Sequence, residues 1–329
     1  MRLTLAALFL SLATPALADT ETVIRLHILP AEAGFAAKTQ LLADSAQADC
    51  TPAALRPAYQ DAFDAWMGVS HLRLGPVEEA GRYQAIAFWP DARGLTEKTL
   101  RRLIAASDPV VNTPGAYSEV SVAARGLFAL DLMLYDDDFA SYAKDSYSCA
   151  LVQAIAADLA GMAAAINDAW KDSFTNTLLT AGEPGNTTYL APREVTQALF
   201  TQLTTALEFN ADQRLGQPMG TFDRPRPKRA EARRSDRPLR DVQLALVALR
   251  QMAALLTDPR PAETLKAFDH ALDVAAKLDD PVFAGVETPQ GRLKVEVLQQ
   301  AIRAARTAAI EEIGPRLGVS AGFNSADGD

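Results

Sequence analysis

The sequence predicts an all-α fold of two fused four-helix bundles, and three observations support this prediction. Apolar residues recur at steps of three and four along extended Ala- and Leu-rich segments, which is the period of an amphipathic helix. Alternating β-branched residues, typical of strands, are nearly absent outside residues 21–27. A cluster of turn-forming residues at 180–186 divides the chain near its middle.

In the first half we expect four principal helices, near residues 32–49, 52–74, 117–135 and 142–178, and a shorter one near 96–106. Thr51 followed by Pro52 is typical of a helix start, because proline lacks the N–H that the first turn leaves unpaired. The second of these helices carries an apolar stripe of Leu55, Tyr59, Phe63, Trp66 and Val69. Such stripes are almost always buried.

In the second half we expect helices near residues 192–215, 238–257, 261–278 and 289–314. The cluster Thr180-Ala181-Gly182-Glu183-Pro184-Gly185-Asn186 predicts the boundary between the halves. The predicted domains are therefore an N-terminal helical bundle of residues 19–182 and a C-terminal helical bundle of residues 183–329.

Two segments do not fit a simple bundle. Residues 75–94 form a connection that is longer than a bundle turn needs and rich in aromatic and charged side chains, and long loops of this kind are often functional. Residues 219–237 concentrate basic side chains in an otherwise acidic chain, namely Arg224, Arg226, Lys228, Arg229, Arg233, Arg234 and Arg237. The segment could bind an anion, or Arg229, Arg233 and Arg234 could pair with acids of the first bundle and join the two domains.

The N-terminus has the pattern of a cleaved secretory signal over residues 1–18. Arg2 supplies the positive charge, residues 3–12 the apolar core and Ala16-Leu17-Ala18 the cleavage site. The mature chain would begin at Asp19 and lie in the periplasm of a Gram-negative source. No later stretch is long and apolar enough to predict a membrane span in the mature chain.

Cysteine content and charge narrow the possibilities further. Cys50 and Cys149 are the only cysteines, and in an oxidising compartment we expect a disulfide rather than two buried thiols. The formal net charge of -9 argues against a nucleic-acid partner, since such domains are usually basic.

A series of short motifs, taken in order, resembles the imelysin-like family, also called peptidase family M75. It consists of Trp66, Leu72-Arg73-Leu74-Gly75-Pro76-Val77-Glu78, Phe88-Trp89-Pro90-Asp91, Arg93-Gly94, the turn from Gly126 to Asp131, Arg229-Ala230-Glu231, Arg234-Ser235, Gly318, Gly322-Phe323-Asn324 and Asp327-Gly328-Asp329. The resemblance implies two four-helix bundles, export to the periplasm or cell surface, and an association with bacterial iron uptake.

The resemblance also implies a site near the junction of the bundles, at the family's Gly-x-His-x-x-Glu motif. This chain keeps Gly126 but has Phe128 in the histidine position and Asp131 in the glutamate position. A hydrolytic zinc site usually includes histidine, and only His27, His71 and His270 are present. We therefore predict no catalytic residues, no cofactor and no retained metal site, with Asp131 the one candidate ligand if iron or another divalent metal binds.

The predicted cleft residues surround the expected junction of the two bundles. They are Trp66, Arg73, Phe88, Trp89, Arg93, Arg125, Gly126, Phe128, Asp131, Arg229, Glu231, Arg234 and Ser235. We further expect Asp131 to accept a hydrogen bond from an arginine of residues 224–237, because a buried carboxylate needs a donor.

The predicted function is that of an exported, non-catalytic binding or accessory protein linked to iron uptake. Its partner would be an unidentified small ligand or an iron-uptake protein of the periplasm or outer membrane. Two alternatives stay open: a metal-dependent M75 peptidase with a rebuilt metal site, and a structural protein that binds a partner without any small ligand.

Overall fold

The structure is a computed structural model that describes residues 20–113 and 115–320. The predicted signal peptide and the last residues of the family resemblance, 322–324 and 327–329, lie outside the described residues. Within the described ranges the fold is helical and contains no strand, as the sequence predicted.

Between residues 20 and 179, apart from the undescribed residue 114, the first half has six helices. They are α1 (residues 20–48), α2 (Pro52–Val69), α3 (Arg82–Ile86), α4 (Leu95–Ala106), α5 (Gly126–Tyr135) and α6 (Tyr147–Leu179). Helix α1 packs on α2 and α6, and α5 packs on both α2 and α6, so these four close into one bundle. The predicted stripe of α2, from Leu55 to Val69, is buried in this bundle.

Helix α1 begins earlier than the sequence predicted. Residues 21–27, the one segment with strand-like alternation, are helical. Val23, Ile24 and the following Ile28 lie in the core. A π-helical turn, Ile24–Ile28, precedes Pro30. Proline lacks the N–H of a regular helical turn, and this turn accommodates it without ending the helix.

Helices α5 and α6 are shorter at their starts than predicted. Two 3₁₀ turns, Ala116–Glu119 and Val122–Ala124, replace the expected beginning of α5. Gly126 has φ +66°, a left-handed backbone conformation. A continuous α-helix that began at residue 117 could not contain this conformation. Helix α6 begins at Tyr147 because the Ser146 hydroxyl caps it by accepting the Cys149 N–H at 3.3 Å.

Helix α6 is the one helix in the described part of the chain that is long and apolar enough to cross a membrane. Of its most apolar window, 56% is buried inside the protein. This composition follows from its position, because Leu151, Ile155, Leu159 and Ile166 fill the core of the first bundle.

In the second half, as far as residue 320, four helices are described: α7 (residues 192–219), α8 (Pro238–Leu255), α9 (Ala262–Ala276) and α10 (Pro289–Leu317). Each packs on the next and α10 returns to α7, so they form a second bundle. Helix α10 starts at a Thr288 hydroxyl cap and ends at Gly318, whose φ of +65° suits the left-handed position after a helix.

The two bundles meet mainly along α2 and α8. The chain passes from one to the other through residues 180–191, which are not helical, at the place where the turn-forming cluster predicted a boundary. The assignment of that boundary to residues 182 and 183 stays a prediction.

The predicted disulfide is confirmed, since Cys50 and Cys149 are joined. Cys50 lies between α1 and α2, and Cys149 lies in the first turn of α6. The bond therefore ties three helices of the first bundle together at one end.

We expect the double variant Cys50→Ala/Cys149→Ala to lower the free energy of unfolding by up to about 4.7 kcal/mol, because the bond closes a long loop in the unfolded chain. The two cysteines are 99 residues apart. Urea unfolding followed by circular dichroism measures the change, and the helical signal without urea should be preserved. Equal stability of the two proteins would contradict this expectation.

Candidate functional site

A cavity of about 200 Å³ lies between the two halves of the molecule. One wall is the loop before α4, where Phe88, Trp89 and Pro90 provide apolar surface. A second wall is α5, and the third is the basic segment 228–234 of the second half. The cavity thus has one largely apolar side and one cationic side.

Part of the predicted cleft lines this cavity. The predicted residues found there are Phe88, Trp89, Phe128, Asp131, Arg229 and Arg234. The lining also includes cations of the basic segment outside the predicted set, Lys228 and Arg233.

Trp66 and Arg73 lie outside the cavity lining, where they pack against other aromatic side chains. Trp66 is 2% exposed, and its ring packs against Phe35 at 5.3 Å and Tyr83 at 5.5 Å. The guanidinium of Arg73 lies over the rings of Tyr83, at 4.2 Å, and Phe209, at 4.6 Å. Trp66 therefore packs in the interior, whereas Arg73 is half-buried, and neither residue lines the cavity.

Arg93 and Arg125 are directed elsewhere. Arg93 is exposed and is not part of the cavity lining. Arg125 forms a bidentate pair with Asp158 of α6, with Nε and Nη2 each 2.8 Å from a carboxylate oxygen. Both side chains of this pair are 8% exposed, so Arg125 joins α5 to α6 and does not face the junction.

Gly126 has a steric role. A Cβ atom at this position would lie 2.2 Å from the carbonyl oxygen of Ala85 and 2.4 Å from that of Ile86. Only glycine permits this approach of α3 to the start of α5, and only glycine adopts φ +66° without strain. The glycine of the family motif is therefore needed here for packing alone.

Asp131 is buried, and its hydrogen bond comes from the second half of the molecule. The Ser235 hydroxyl donates to Oδ1 at 2.5 Å, and the Tyr59 hydroxyl lies 3.5 Å from the same oxygen. Burial raises the pKa of Asp131 to about 6, although the Ser235 hydrogen bond and the Arg234 charge oppose this shift.

We expected an arginine to donate a hydrogen bond to Asp131, and this prediction is wrong, because the donor is Ser235. Arg234 Nη1 is 3.9 Å from Oδ2, within ion-pair distance but beyond a hydrogen bond. The Nε of Arg234 instead donates to Asp136 at 2.5 Å. The turn Arg233–Ser235 brings the short serine side chain onto Asp131 and directs the longer arginine to the more exposed carboxylate at the end of α5.

Phe128 fills the histidine position of the motif with apolar surface. It is 7% exposed, and its ring packs edge to face on Phe63 with centroids 5.7 Å apart. Such an aromatic pair adds roughly 1 kcal/mol beyond simple burial. The position thus contributes to the core beneath the cavity.

Two buried arginines near the site form ion pairs. Glu231, predicted for the cleft, instead accepts a hydrogen bond from Arg214 Nε at 2.5 Å, and both side chains are 5% exposed. Arg237 is fully buried and donates to Asp241 at 2.7 Å, Asp64 at 2.8 Å and Gln60 at 2.5 Å. Asp64 and Gln60 lie on α2 and Asp241 on α8, so Arg237 connects the bundles.

This role of Arg237 was not predicted. The density of basic residues in the segment drew attention to it, but nothing in the sequence separated the buried arginine from its exposed neighbours. Its partners on α2 are more than 170 residues away along the chain.

A pair of buried histidines was also missed. The Nε2 atoms of His27, on α1, and His71, just after α2, are 2.9 Å apart, so one ring donates its proton to the other. Burial lowers the pKa of His27 to about 4, and burial with the nearby His27 and Arg214 lowers the pKa of His71 well below its usual value. No local pattern in the sequence links the two residues.

Comparison with known proteins identifies the family. The family model for imelysin, peptidase family M75, matches residues 28–309. The chain belongs to the imelysin family. None of the curated proteins matches the sequence.

Solved structures of similar proteins show the same fold. An imelysin-like protein from Psychrobacter arcticum 273-4 superposes with a TM-score of 0.76 at 19% sequence identity, over 94% of this chain and 100% of that one. A protein from Parabacteroides distasonis ATCC 8503, named as an iron-regulated protein A precursor, gives a TM-score of 0.65 at 12% identity, over 88% of this chain and 94% of that one.

The residues at the family motif do not fit a resident metal ion. Phe128 offers no donor atom, and Asp131 is a single carboxylate engaged by a hydroxyl and close to a guanidinium. In the part of the chain that the structure describes, no three His, Cys, Asp or Glu side chains are grouped so that they could hold a metal. A zinc or iron site normally needs at least three such protein ligands.

We expect Gly126→Ala to destabilise the protein by at least about 2 kcal/mol more than Gly81→Ala, because only the first places a methyl group against backbone carbonyls. Gly81 is the matched control, since it has the same φ of +66° and no atom within 4 Å of its added Cβ. Gly81→Ala should lower the free energy of unfolding by only about 1 to 2 kcal/mol, the cost of left-handed backbone strain. Equal losses in urea unfolding would contradict the steric role.

We expect the free energy of unfolding to fall as the pH decreases from about 6.5 towards 4 because of the histidine pair. The unfolded chain takes up protons on both imidazoles over this range, whereas in the folded state the depressed pKa of His27, about 4, delays uptake. For each histidine with a depressed pKa, the free energy of unfolding falls by about 1.4 kcal/mol per pH unit, or by about 2 kcal/mol between pH 6.5 and 5.

Urea unfolding at pH 7 and pH 5 measures this effect, with His27→Gln/His71→Gln as the comparison. The carboxyl groups with raised pKa, Asp131, Glu32 and Asp241, titrate in both proteins and cancel in the difference. The variant should lose less stability than the wild type. An equal loss in the two proteins would exclude the pair as the source.

Proposed function

We propose that this protein is an exported, non-catalytic binding or accessory component linked to iron uptake, and that it holds its ligand in the cavity between its two halves. Membership of the imelysin family supports the general role. The name of one structural relative, an iron-regulated protein A precursor, supports the link to iron.

The arrangement of Phe128 and Asp131 is the observation that carries the proposal. Metal-assisted hydrolysis needs an open metal position held by several ligands, with a bound water activated for attack. Here an aromatic ring occupies the histidine position, and the carboxylate is bound by Ser235. This arrangement favours a binding surface over a hydrolytic centre.

The cavity itself supports ligand binding. It lies between elements of both halves, and it combines an aromatic wall with several cationic side chains. Concave sites with mainly apolar walls and a few polar groups are typical of small-molecule binding.

The N-terminal sequence and the disulfide support export. A positive residue, an apolar core and a small-residue cleavage site form the predicted signal of residues 1–18. The Cys50–Cys149 bond suits an oxidising compartment such as the periplasm.

Protein purified from the periplasm of its own host tests the proposal. The N-terminal residue should be Asp19, and the protein should contain much less than one equivalent of zinc, iron or calcium. Micromolar zinc, iron(II) or calcium should not change the melting temperature, whereas a site of micromolar or tighter affinity would raise it by several degrees.

Asp131→Asn is the matched variant, because it keeps the shape and the acceptor oxygen for Ser235 but removes the charge. A metal-dependent rise in melting temperature that this substitution abolishes would overturn the proposal. Metal-dependent cleavage of a peptide substrate by the wild-type protein would instead favour the peptidase alternative.

A further inference from the structure

The cationic side chains that line the cavity differ in whether they form ion pairs. Arg234 pairs with Asp136 and lies near Asp131. For Lys228, Arg229 and Arg233, the structure shows no acidic side chain within ion-pair distance among the described residues. Three positive charges at one small cavity thus form no ion pair with the described part of the protein, although the chain as a whole carries -9.

The acids that line the same cavity are occupied by other groups. The carboxylate of Asp91 accepts the backbone N–H groups of Leu95, at 2.9 Å, and Thr96, at 2.8 Å, at the start of α4. Glu97 pairs with Arg101 at 3.0 Å. Asp131 is buried against Ser235. The charge of Arg233 acts on Asp131 from beyond ion-pair distance. None of these carboxylates forms an ion pair with Lys228, Arg229 or Arg233, so an anion from outside the chain would be attracted there.

The wall opposite the cations is apolar. Phe88, Trp89 and Pro90 form it, and Phe128 and Leu132 of α5 continue it. The ring of Trp89 is supported from behind by an edge-to-face contact with Phe209, with centroids 6.1 Å apart. A bare inorganic anion would leave this aromatic surface in contact with water, whereas a ligand with a flat apolar body would cover it.

The size of the cavity limits that body to about one ring. Its volume is about 200 Å³, and an apolar protein cavity of about 150 Å³ holds a benzene molecule. The remaining volume accommodates a small charged substituent. Guanidinium groups recognise carboxylates through paired N–H donors, which favours a planar oxyanion on the cationic side.

We propose that this cavity binds a small aromatic carboxylate, with the ring against Phe88, Trp89 and Phe128 and the carboxylate between Arg229 and Arg233. The inference rests on the proposed binding function and names the chemical class of its ligand. Lys228 adds a third positive charge at the rim and contributes mainly to attraction at long range.

Isothermal titration of the mature, oxidised protein with benzoate tests the proposal. Benzamide is the neutral probe of the same shape, acetate is the carboxylate without a ring, and inorganic phosphate is the anion without apolar surface. Benzoate should bind at least tenfold more tightly than each of the other three. Equal affinity for benzoate and benzamide would remove the role of the cations, and equal affinity for benzoate and phosphate would remove the role of the aromatic wall.

Charge-removing variants locate the site. Arg229→Gln and Arg233→Gln should each weaken benzoate binding about tenfold, and Phe88→Ala should weaken it without abolishing the preference over benzamide. Arg224→Gln is the matched control, since Arg224 is an exposed arginine of the same segment that does not line the cavity. Circular dichroism verifies that each variant is folded. An equal effect of Arg224→Gln and Arg233→Gln would overturn the proposal.

The result separates this inference from the proposed function. Absence of benzoate binding at millimolar concentration, in a protein that also binds no metal and cleaves no peptide, would reject the ligand class and leave the non-catalytic role standing. Metal binding or peptide cleavage would reject the proposed function itself, whatever the benzoate titration shows.

Discussion

Arg237 lies fully buried between α2 and α8, and its guanidinium determines how the two bundles meet. Leaving such a charge without partners in the interior would cost several kcal/mol. Its donors are satisfied only when Asp64 and Gln60 of the first half approach Asp241 of the second half. The hydrogen bonds that Arg237 needs therefore constrain the position of one bundle on the other.

The site follows from that constraint. The turn that presents Ser235 immediately precedes Arg237, so fixing the arginine brings the serine hydroxyl to Asp131. A hydroxyl is a neutral donor, which leaves burial as the dominant effect on the carboxyl and raises its pKa to about 6. With Phe128 packed beside it, the motif position serves the junction between the halves, where the family resemblance implies metal ligands.

The basic segment resolves into residues with different roles. Arg234, one of the three arginines expected to join the domains, pairs with Asp136 of the first half. Arg237, for which no such role was predicted, pairs with Asp64 of the first half. Lys228, Arg229 and Arg233 face the cavity without an acidic partner in the described part of the chain. The two interpretations that the sequence left open therefore apply to different members of one segment, because only some of its side chains point into the interface between the bundles.

The sequence by itself determined the helical fold, the buried stripes and the family, since these depend on local periodicity and on ordered motifs. It also determined the Cys50–Cys149 bond, because only one pair was available. The sequence placed Trp66 both on a buried stripe and in the cleft, and tertiary structure alone decided for the interior. It also decided that Ser235 rather than an arginine binds Asp131. Serine and aspartate here are 104 residues apart, and periodicity within a helix carries no information about which distant turn comes within hydrogen-bond distance of it.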